Sequence, residues 1–306
     1  HWDKVEKTNA DGSLDDLHIV YLDFRFSNVC NLKCRYCGPE LSSNWFADAV
    51  KSTYNVSPTE QVIQIRNDVD NFMEEFDEVL QHVEQIYWAG GEPIIMDEHW
   101  AIMNRLVELG KTDIRIFYNT NFTKLTYKKY NVLELWKNFD NISVGASLDA
   151  EGLRGEYQRK GTKWNDVVNN IEQLREVSPE VDFYVSATVS AYNAWHITDF
   201  HRSWVDKGYI QPGDWYMNVL LNNERFRMSV LPETLKAEIK YKWEKHLEWL
   251  KPLDHIGRAT DGYLSAIKFL DDDHTHLLEE FNMFNAEFDK MRDENFSDIY
   301  PELAGI

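Results

Sequence analysis

No stretch of about 18 consecutive apolar residues occurs in the chain, so no segment is long enough to cross a bilayer as a helix. The first twenty residues carry Asp3, Glu6, Asp11, Asp15 and Asp16 and have no apolar core; no secretory signal is visible, and the expected compartment is the cytoplasm. Glycine and proline are scarce, 14 and 8 in 306 residues, which excludes a linker-like or low-complexity chain. Positive charge is also short, 32 Lys and Arg against 52 Asp and Glu, a net charge of −20 that repels polyanions, so nucleic acid is not an expected partner. The small basic cluster of Lys124, Lys128 and Lys129 reads as a solvated helix face. Residues 271–306 hold eleven acidic side chains against Lys290 and Arg292, a feature that serves solubility. Cysteine is scarcest of all: there are three, an odd number that does not make a disulfide framework.

What is present is ample core material: 43% hydrophobic residues, with 11 Trp, 15 Tyr and 16 Phe. The three cysteines fall together in Cys30-Asn-Leu-Lys-Cys34-Arg-Tyr-Cys37, a polar stretch unlike the apolar settings of packing cysteines. A shared metal accounts for the grouping. Structural zinc wants four ligands, and the nearest histidines, His18 and His82, are not spaced as zinc-finger partners, although a ligand from further away would serve. An iron-sulfur cluster on three thiolates leaves one iron open to a substrate or cofactor.

Short runs rich in β-branched and aromatic residues predict strands at His18 to Phe26, Val83 to Ala89, Asp113 to Tyr118, Asn141 to Ser147, Asp182 to Val189 and Trp215 to Leu221. Helical spacing predicts helices at Asp70 to His82 (Phe72, Phe76, Val79, Leu80), Glu98 to Leu109 (Ile102, Leu106, Leu109) and Trp164 to Val177 (Val167, Val168, Ile171, Leu174). Alternation of this kind predicts an α/β fold, a partial (β/α)6 barrel whose functional loops lie at the carboxyl ends of the strands. The polar motifs fall there: the cysteines after strand one, Gly90-Gly91-Glu92-Pro93 after strand two, Asn119-Thr-Asn121 after strand three, Ser147-Leu-Asp149 after strand four. Trp215, Tyr216, Asn218 and Asn222 lie on or after strand six, where alternate side chains should face the barrel interior.

From Leu231 onward the pattern is helical, with Pro232 to Leu250 aligning Leu235, Ile239, Trp243, Leu247 and Leu250, and Glu279 to Met291 aligning Phe281, Phe284, Phe288 and Met291. The expected organisation is a barrel over 1–225 and a helical extension over 226–306. His274 and His276 beside Asp271-Asp-Asp273 read as an acidic helix start rather than a metal site.

Two glycines at positions 90 and 91 suit a close backbone approach to a ligand, and Glu92 offers a carboxylate to an ammonium group. Taken together, Asp23-Phe-Arg-Phe-Ser-Asn-Val-Cys30, the CxxxCxxC spacing with Tyr36 before Cys37, and Gly90-Gly91-Glu92-Pro93 resemble the radical S-adenosylmethionine (SAM) superfamily. The resemblance implies a [4Fe-4S] cluster on Cys30, Cys34 and Cys37, with SAM on the open iron. It implies that Gly90, Gly91, Glu92 and Pro93 meet the methionyl amino group and that Tyr36 lies against the adenine region. Asn119, Ser147 and Asp149 resemble polar contacts to the methionine and ribose portions, and Arg159 the arginine that meets the methionyl carboxylate. Ala150 stands where the family often has glycine.

The chemistry so implied is one-electron cleavage of SAM by the reduced cluster, giving methionine and a 5′-deoxyadenosyl radical that takes a hydrogen atom from substrate. A flavodoxin- or ferredoxin-type electron donor follows from it. The extension is similar to that of SPASM and twitch members but has no cysteines for an auxiliary cluster. That likeness points first to a peptide or protein side chain as substrate and second to a small metabolite such as a sugar or nucleotide derivative. A non-catalytic metal-binding interaction protein, using the cysteine loop as a clip, is the reading from another class.

Overall fold

The structure, a computed structural model, describes residues 8–15, 19–53, 60–64 and 69–306, without the side chains of 69–72, 74 and 75. Its strands are β1 (Tyr21–Phe24), β2 (Gln85–Trp88), β3 (Arg115–Thr120), β4 (Thr126–Tyr127), β5 (Tyr130–Asn131), β6 (Asn141–Ala146), β7 (Asp182–Val189) and β8 (Trp215–Val219). β4 and β5 make a small hairpin, and the rest form one sheet in the order β1-β2-β3-β6-β7-β8 with every neighbouring pair parallel. Parallel neighbours require crossovers. These are supplied by α1 (Phe46–Ala49), α2 (Val69–His82), α3 (Asp97–Glu108), α4 (Val132–Trp136), α5 (Gly152–Gln158), α6 (Trp164–Val177) and α7 (Ile197–Asp206). After β8 follow α8 (Glu233–Leu250), α9 (Arg258–Leu270), α10 (Leu278–Arg292) and α11 (Phe296–Ile299).

Strand periodicity divides the sheet into two faces. Ile86, Trp88, Ile116, Tyr118, Ile142, Val144, Phe183 and Val185 are buried on the helical side, where α3 brings Ile102 and Leu106 and α6 brings Val167, Ile171 and Leu174. Tyr87, Phe117, Asn119, Tyr184 and Tyr216 alternate with them and face the barrel interior, where they line a common cavity. The helices after β8 join the same apolar core through Ile239, Trp243, Tyr263, Phe281 and Phe288.

The architecture is the partial barrel expected, with shifts that have local causes. β7 and α6 have the expected bounds, whereas β1 is only four residues long. Its pairing with β2 ends at Phe24–Trp88, after which the chain leaves the sheet to form the cysteine loop. β3 begins and ends two residues later than expected, so Asn119 lies inside the strand rather than after it, because β6 continues to pair with it through Asn119–Gly145 and Thr120–Ala146. Asparagine is disfavoured in strands, and pairing overrides that preference here. Lys128 and Lys129 form the turn between β4 and β5, with Lys124 just before the hairpin, so these lysines do not share a helix face; Lys128 pairs with Asp97. Asp273 accepts from the backbone N–H of Thr275 at the start of the turn leading into α10. His274 bonds Ser229 and Arg227. His18 lies outside the described residues, as does the Phe72 side chain.

Candidate functional site

The cysteine loop starts where β1 ends and is held on several sides. Backbone N–H groups of Lys33 and Arg35 donate to the carbonyls of Lys160 and Gln158 at 2.9 and 2.8 Å. Trp45 Nε1 donates to the Cys34 carbonyl at 2.7 Å, and the Ser42 hydroxyl donates to that of Leu32. Cys30, Cys34 and Cys37 are free thiols, Cys34 buried and the others half-buried. Burial pushes the Cys30 thiol up to about 12, with Cys34 the next cause, and it pushes Cys37 up for the same two reasons. Cys34 is also raised by burial, against the pull of the Arg159 guanidinium.

Donors surround the sulfurs: the Leu32 N–H is 3.4 Å from Cys30 Sγ, Asn121 Nδ2 is 4.0 Å from it, and Arg159 Nη1 is 3.9 Å from Cys34 Sγ. Sulfurs within electrostatic reach of one another and met by N–H donors suit thiolates that share an anionic group. Among the described residues no three His, Cys, Asp or Glu side chains converge as ligands of a single ion. An iron-sulfur cluster takes its thiolates on separate irons, so this donor set fits it.

The loop after β2 docks on the cysteine loop. Gly91 N–H donates to the Ser27 carbonyl at 3.2 Å and Glu92 N–H to that of Val29 at 2.8 Å. A Cβ at Gly91 would lie 2.1 Å from the Val29 carbonyl oxygen, so only glycine allows this approach. Glu92 is 1% exposed. Its carboxylate accepts from Thr120 Oγ1 and the Asn121 N–H, both at 2.7 Å, and burial pushes it up to about 7. Pro93 opens the short 3-10 turn that follows. Asn121 Nδ2 donates to Asn31 Oδ1 at 2.8 Å, tying the end of β3 to the cysteine loop.

Asp149, after β6, is a buried hub. Arg159 Nε and Nη2 donate to its two oxygens at 2.7 and 3.1 Å, the Thr188 N–H donates to Oδ1 at 2.8 Å, and the Tyr36 hydroxyl donates to Oδ2. Burial raises the Tyr36 hydroxyl well above its usual range. The bidentate carboxylate partner of Arg159 is therefore within the chain, and Arg159 keeps only Nη1 for anything else. Ser147 is half-buried just after β6, with its N–H on the Thr120 carbonyl at 2.7 Å. Asn119 faces the interior from β3, with its Oδ1 beside Gly145.

Several residues that the motifs do not reveal complete the site. Arg35, between the second and third cysteines, is 0% exposed; its Nη2 meets Asp289 of α10 at 2.5 Å and Glu294 at 2.7 Å, and its guanidinium stacks 3.6 Å from the Tyr157 ring centroid. Asp48 accepts from Lys33 at 2.8 Å and from Arg292 of α10 at 2.9 Å. The C-terminal helices thus grip the cysteine loop. One cavity borders the loop and another fills the barrel. One, about 440 Å³, runs past Cys37, Trp45, Phe226 and Phe288; the other, about 370 Å³, is the barrel interior below Asn119. Asn218 and Tyr216 line the latter, whereas Trp215 is buried in the core on the other face.

Three clustered thiols at the carboxyl end of the first strand of a parallel partial barrel, docked against a Gly-Gly-Glu-Pro loop, suit thiolates that share one cluster. The model of the radical SAM superfamily matches residues 24–189, more than half of the chain, and the chain belongs to that superfamily. GTP 3′,8-cyclase of Mannheimia succiniciproducens is 26% identical over 192 residues, 62% of this chain and 51% of that protein. The chain thus spans about half the length of this curated relative. Among solved structures, native anSMEcpe with bound AdoMet and the Cp18Cys peptide is similar in fold, with a TM-score of 0.51 and 18% identity over 78% of this chain and 62% of that one. The same protein with the Kp18Cys peptide has a TM-score of 0.51 and 18% identity over 77% and 62%. Among the described residues no helix is long and apolar enough to cross a membrane.

Proposed function

We propose that the chain is a radical SAM enzyme that holds a [4Fe-4S] cluster on Cys30, Cys34 and Cys37, binds SAM beside it, and removes a hydrogen atom from a substrate in the barrel interior. The observation that carries this is the meeting of three free thiols with the Gly91–Glu92 backbone across one docked loop pair. When bound, the cluster supplies one electron for reductive cleavage of SAM, and with it the radical.

The chain's residues bind, orient and shield. Gly90, Gly91 and Pro93 shape a backbone edge for the methionyl amino group, and Glu92 accepts hydrogen bonds from it; an ammonium there offsets the burial of the carboxylate. Arg159 offers Nη1 to the methionyl carboxylate, while Asp149 holds Arg159 and Tyr36 in place instead of meeting the ribose itself. Asn119 and Ser147 line the approach to the ribose and methionine portions, and Tyr36 borders the adenine region. Residues 226–306 act as a twitch-like cover without an auxiliary cluster. A flavodoxin- or ferredoxin-type protein delivers the electron, since cluster potentials span about −700 to +450 mV and this cleavage needs the low end.

The peptide-bound structure of similar fold supports a peptide or protein side chain as substrate. The cyclase relative and an interior cavity of about 370 Å³ favour a small metabolite as the second reading. Anaerobic reconstitution followed by electron paramagnetic resonance of the reduced protein tests the proposal. A reduced-cluster signal that shifts when SAM is added, and is lost in Cys34→Ala, is the expected result. Zinc in place of iron, or a cluster signal indifferent to SAM, overturns it in favour of a metal-clip protein.

A further inference from the structure

Among the described residues most Lys and Arg side chains form ion pairs, and those that do not are mainly exposed; Arg258 is unpaired while lining a cavity. Half-buried at the start of α9, it lines the 370 Å³ interior cavity with Tyr87, Phe117, Asn119, Tyr184 and Asn218. Among the described residues it has neither a hydrogen bond nor an ion pair; its guanidinium lies 5.3 Å from the Tyr184 ring centroid. Asp182 lines the same cavity and accepts from Ser143 Oγ at 2.9 Å, and Asp214 accepts from the Gln211 N–H at 2.9 Å; neither forms an ion pair with Arg258.

Arg258 is held in place by its surroundings. α9 packs on the edge strand β8, close enough that a Cβ on Gly262 would lie 3.3 Å from Met217 Cβ. The buried Asp254 ties down the first turn, its carboxylate accepting from the Gly257 N–H at 3.0 Å and the Thr260 N–H at 2.8 Å. The helix start that carries Arg258 is thus fixed, and its planar guanidinium is shaped to take a planar anion with two hydrogen bonds. With a net charge of −20 the surface repels anions, so an unpaired cation inside a tyrosine-lined cavity is a selective place for one.

We propose that the barrel interior is an anion-recognising substrate site in which Arg258 takes the carboxylate or phosphate of the substrate and the tyrosines pack on its body. This rests on the radical SAM reading and adds a substrate class to it. Asp182 and Ser186 mark two levels of the cavity four residues apart on β7, about 13 Å. Asn119 and the Tyr184 ring lie against the same Gly145 position, so a substrate anchored at Arg258 beside Tyr184 also comes within the neighbourhood of Asn119. An acidic side chain of a peptide, an organic acid and a phosphorylated metabolite share this chemistry.

The test is calorimetric titration of the full chain, without cluster, with inorganic phosphate in one arm and glutarate in the other, at ionic strength matched by chloride. At least one anion should bind, and Arg258→Gln should weaken it about tenfold or more while its circular dichroism and melting match the parent. Arg258→Lys, which keeps the charge but not the fork, should recover part of the affinity. Binding in the phosphate arm alone assigns a phosphorylated substrate, and in the glutarate arm alone a carboxylate. Absence of binding by both anions, or equal binding by Arg258→Gln, overturns the proposal. The SAM-induced resonance shift reads the underlying enzyme assignment separately, because Arg258 touches none of the cluster or SAM residues.

Discussion

Replacing Arg35 by Met isolates the contribution of the C-terminal helices to the cysteine loop. The guanidinium is fully buried, and its partners Asp289 and Glu294 are only 14% and 13% exposed, so solvent screens the pairs little. Removing it leaves Asp289 with only the Tyr157 hydroxyl and the Phe296 N–H, and Glu294 with only Lys160, and forfeits the stacking on Tyr157. Breaking a buried pair in this way costs about 3 kcal/mol, which for a chain of this size lowers the melting temperature by about 5 °C. Because Arg35 lies between Cys34 and Cys37, the loop should also release iron faster, seen as fewer irons per chain after desalting. Adding Asp289→Asn and Glu294→Gln should restore part of the stability, since it removes the two carboxylates that Arg35 served and leaves only the partly exposed Lys160 without its partner. An Arg35→Met protein that melts within about 2 °C of the parent and retains its iron would refute the reasoning.

Gly91→Ala should be more damaging than Gly90→Ala: the added methyl meets the Val29 carbonyl oxygen at 2.1 Å, whereas at Gly90 the nearest atom is 3.3 Å away and the cost is the strain of φ +111°. Denaturant unfolding should show a loss of about 1–3 kcal/mol for Gly90→Ala and a larger one for Gly91→Ala; the reverse order would contradict the docked-loop geometry. Acid stability provides another check. Burial lowers His99 to about 3 and His246 to about 4, and His201, buried beside His246, is held well below its usual value. The fold keeps these rings neutral while the unfolded chain protonates them near 6.5, so stability is full above that pH and falls as pH drops toward 4. The loss is about 1.4 kcal/mol per unit for each ring. Urea midpoints between pH 7 and 4.5 should decline steeply and flatten in His201→Phe/His246→Leu; an unchanged slope in that double variant would remove these rings as the cause.

The parallel barrel was legible because its evidence is local. β7 and α6 have the bounds that their apolar periodicity indicates, and the turns that end each strand carry the polar motifs. One element was harder to read for reasons of composition. α9 buries Ala259, Tyr263, Ala266 and Leu270 on one face, but two of these are small and the helix also contains Gly262 and Thr260, poor helix formers. The limits of β3 depended on a neighbouring strand, and no single segment contains that information.

The sequence by itself determined the site's chemistry: three thiols in eight residues, two glycines where backbones must touch, and a carboxylate after them. Residue types at short spacing restrict the possible ligands whatever surrounds them. Only the tertiary structure decided how those groups are held. Arg35 finds Asp289 across 254 positions of chain, Arg159 turns its fork to Asp149 rather than outward, and Arg258 enters the barrel because α9 lies against β8. Such pairings have no period and no motif; they arise when burial removes water from charged groups and the fold offers each one a particular neighbour, which for Arg258 is a tyrosine ring rather than a carboxylate.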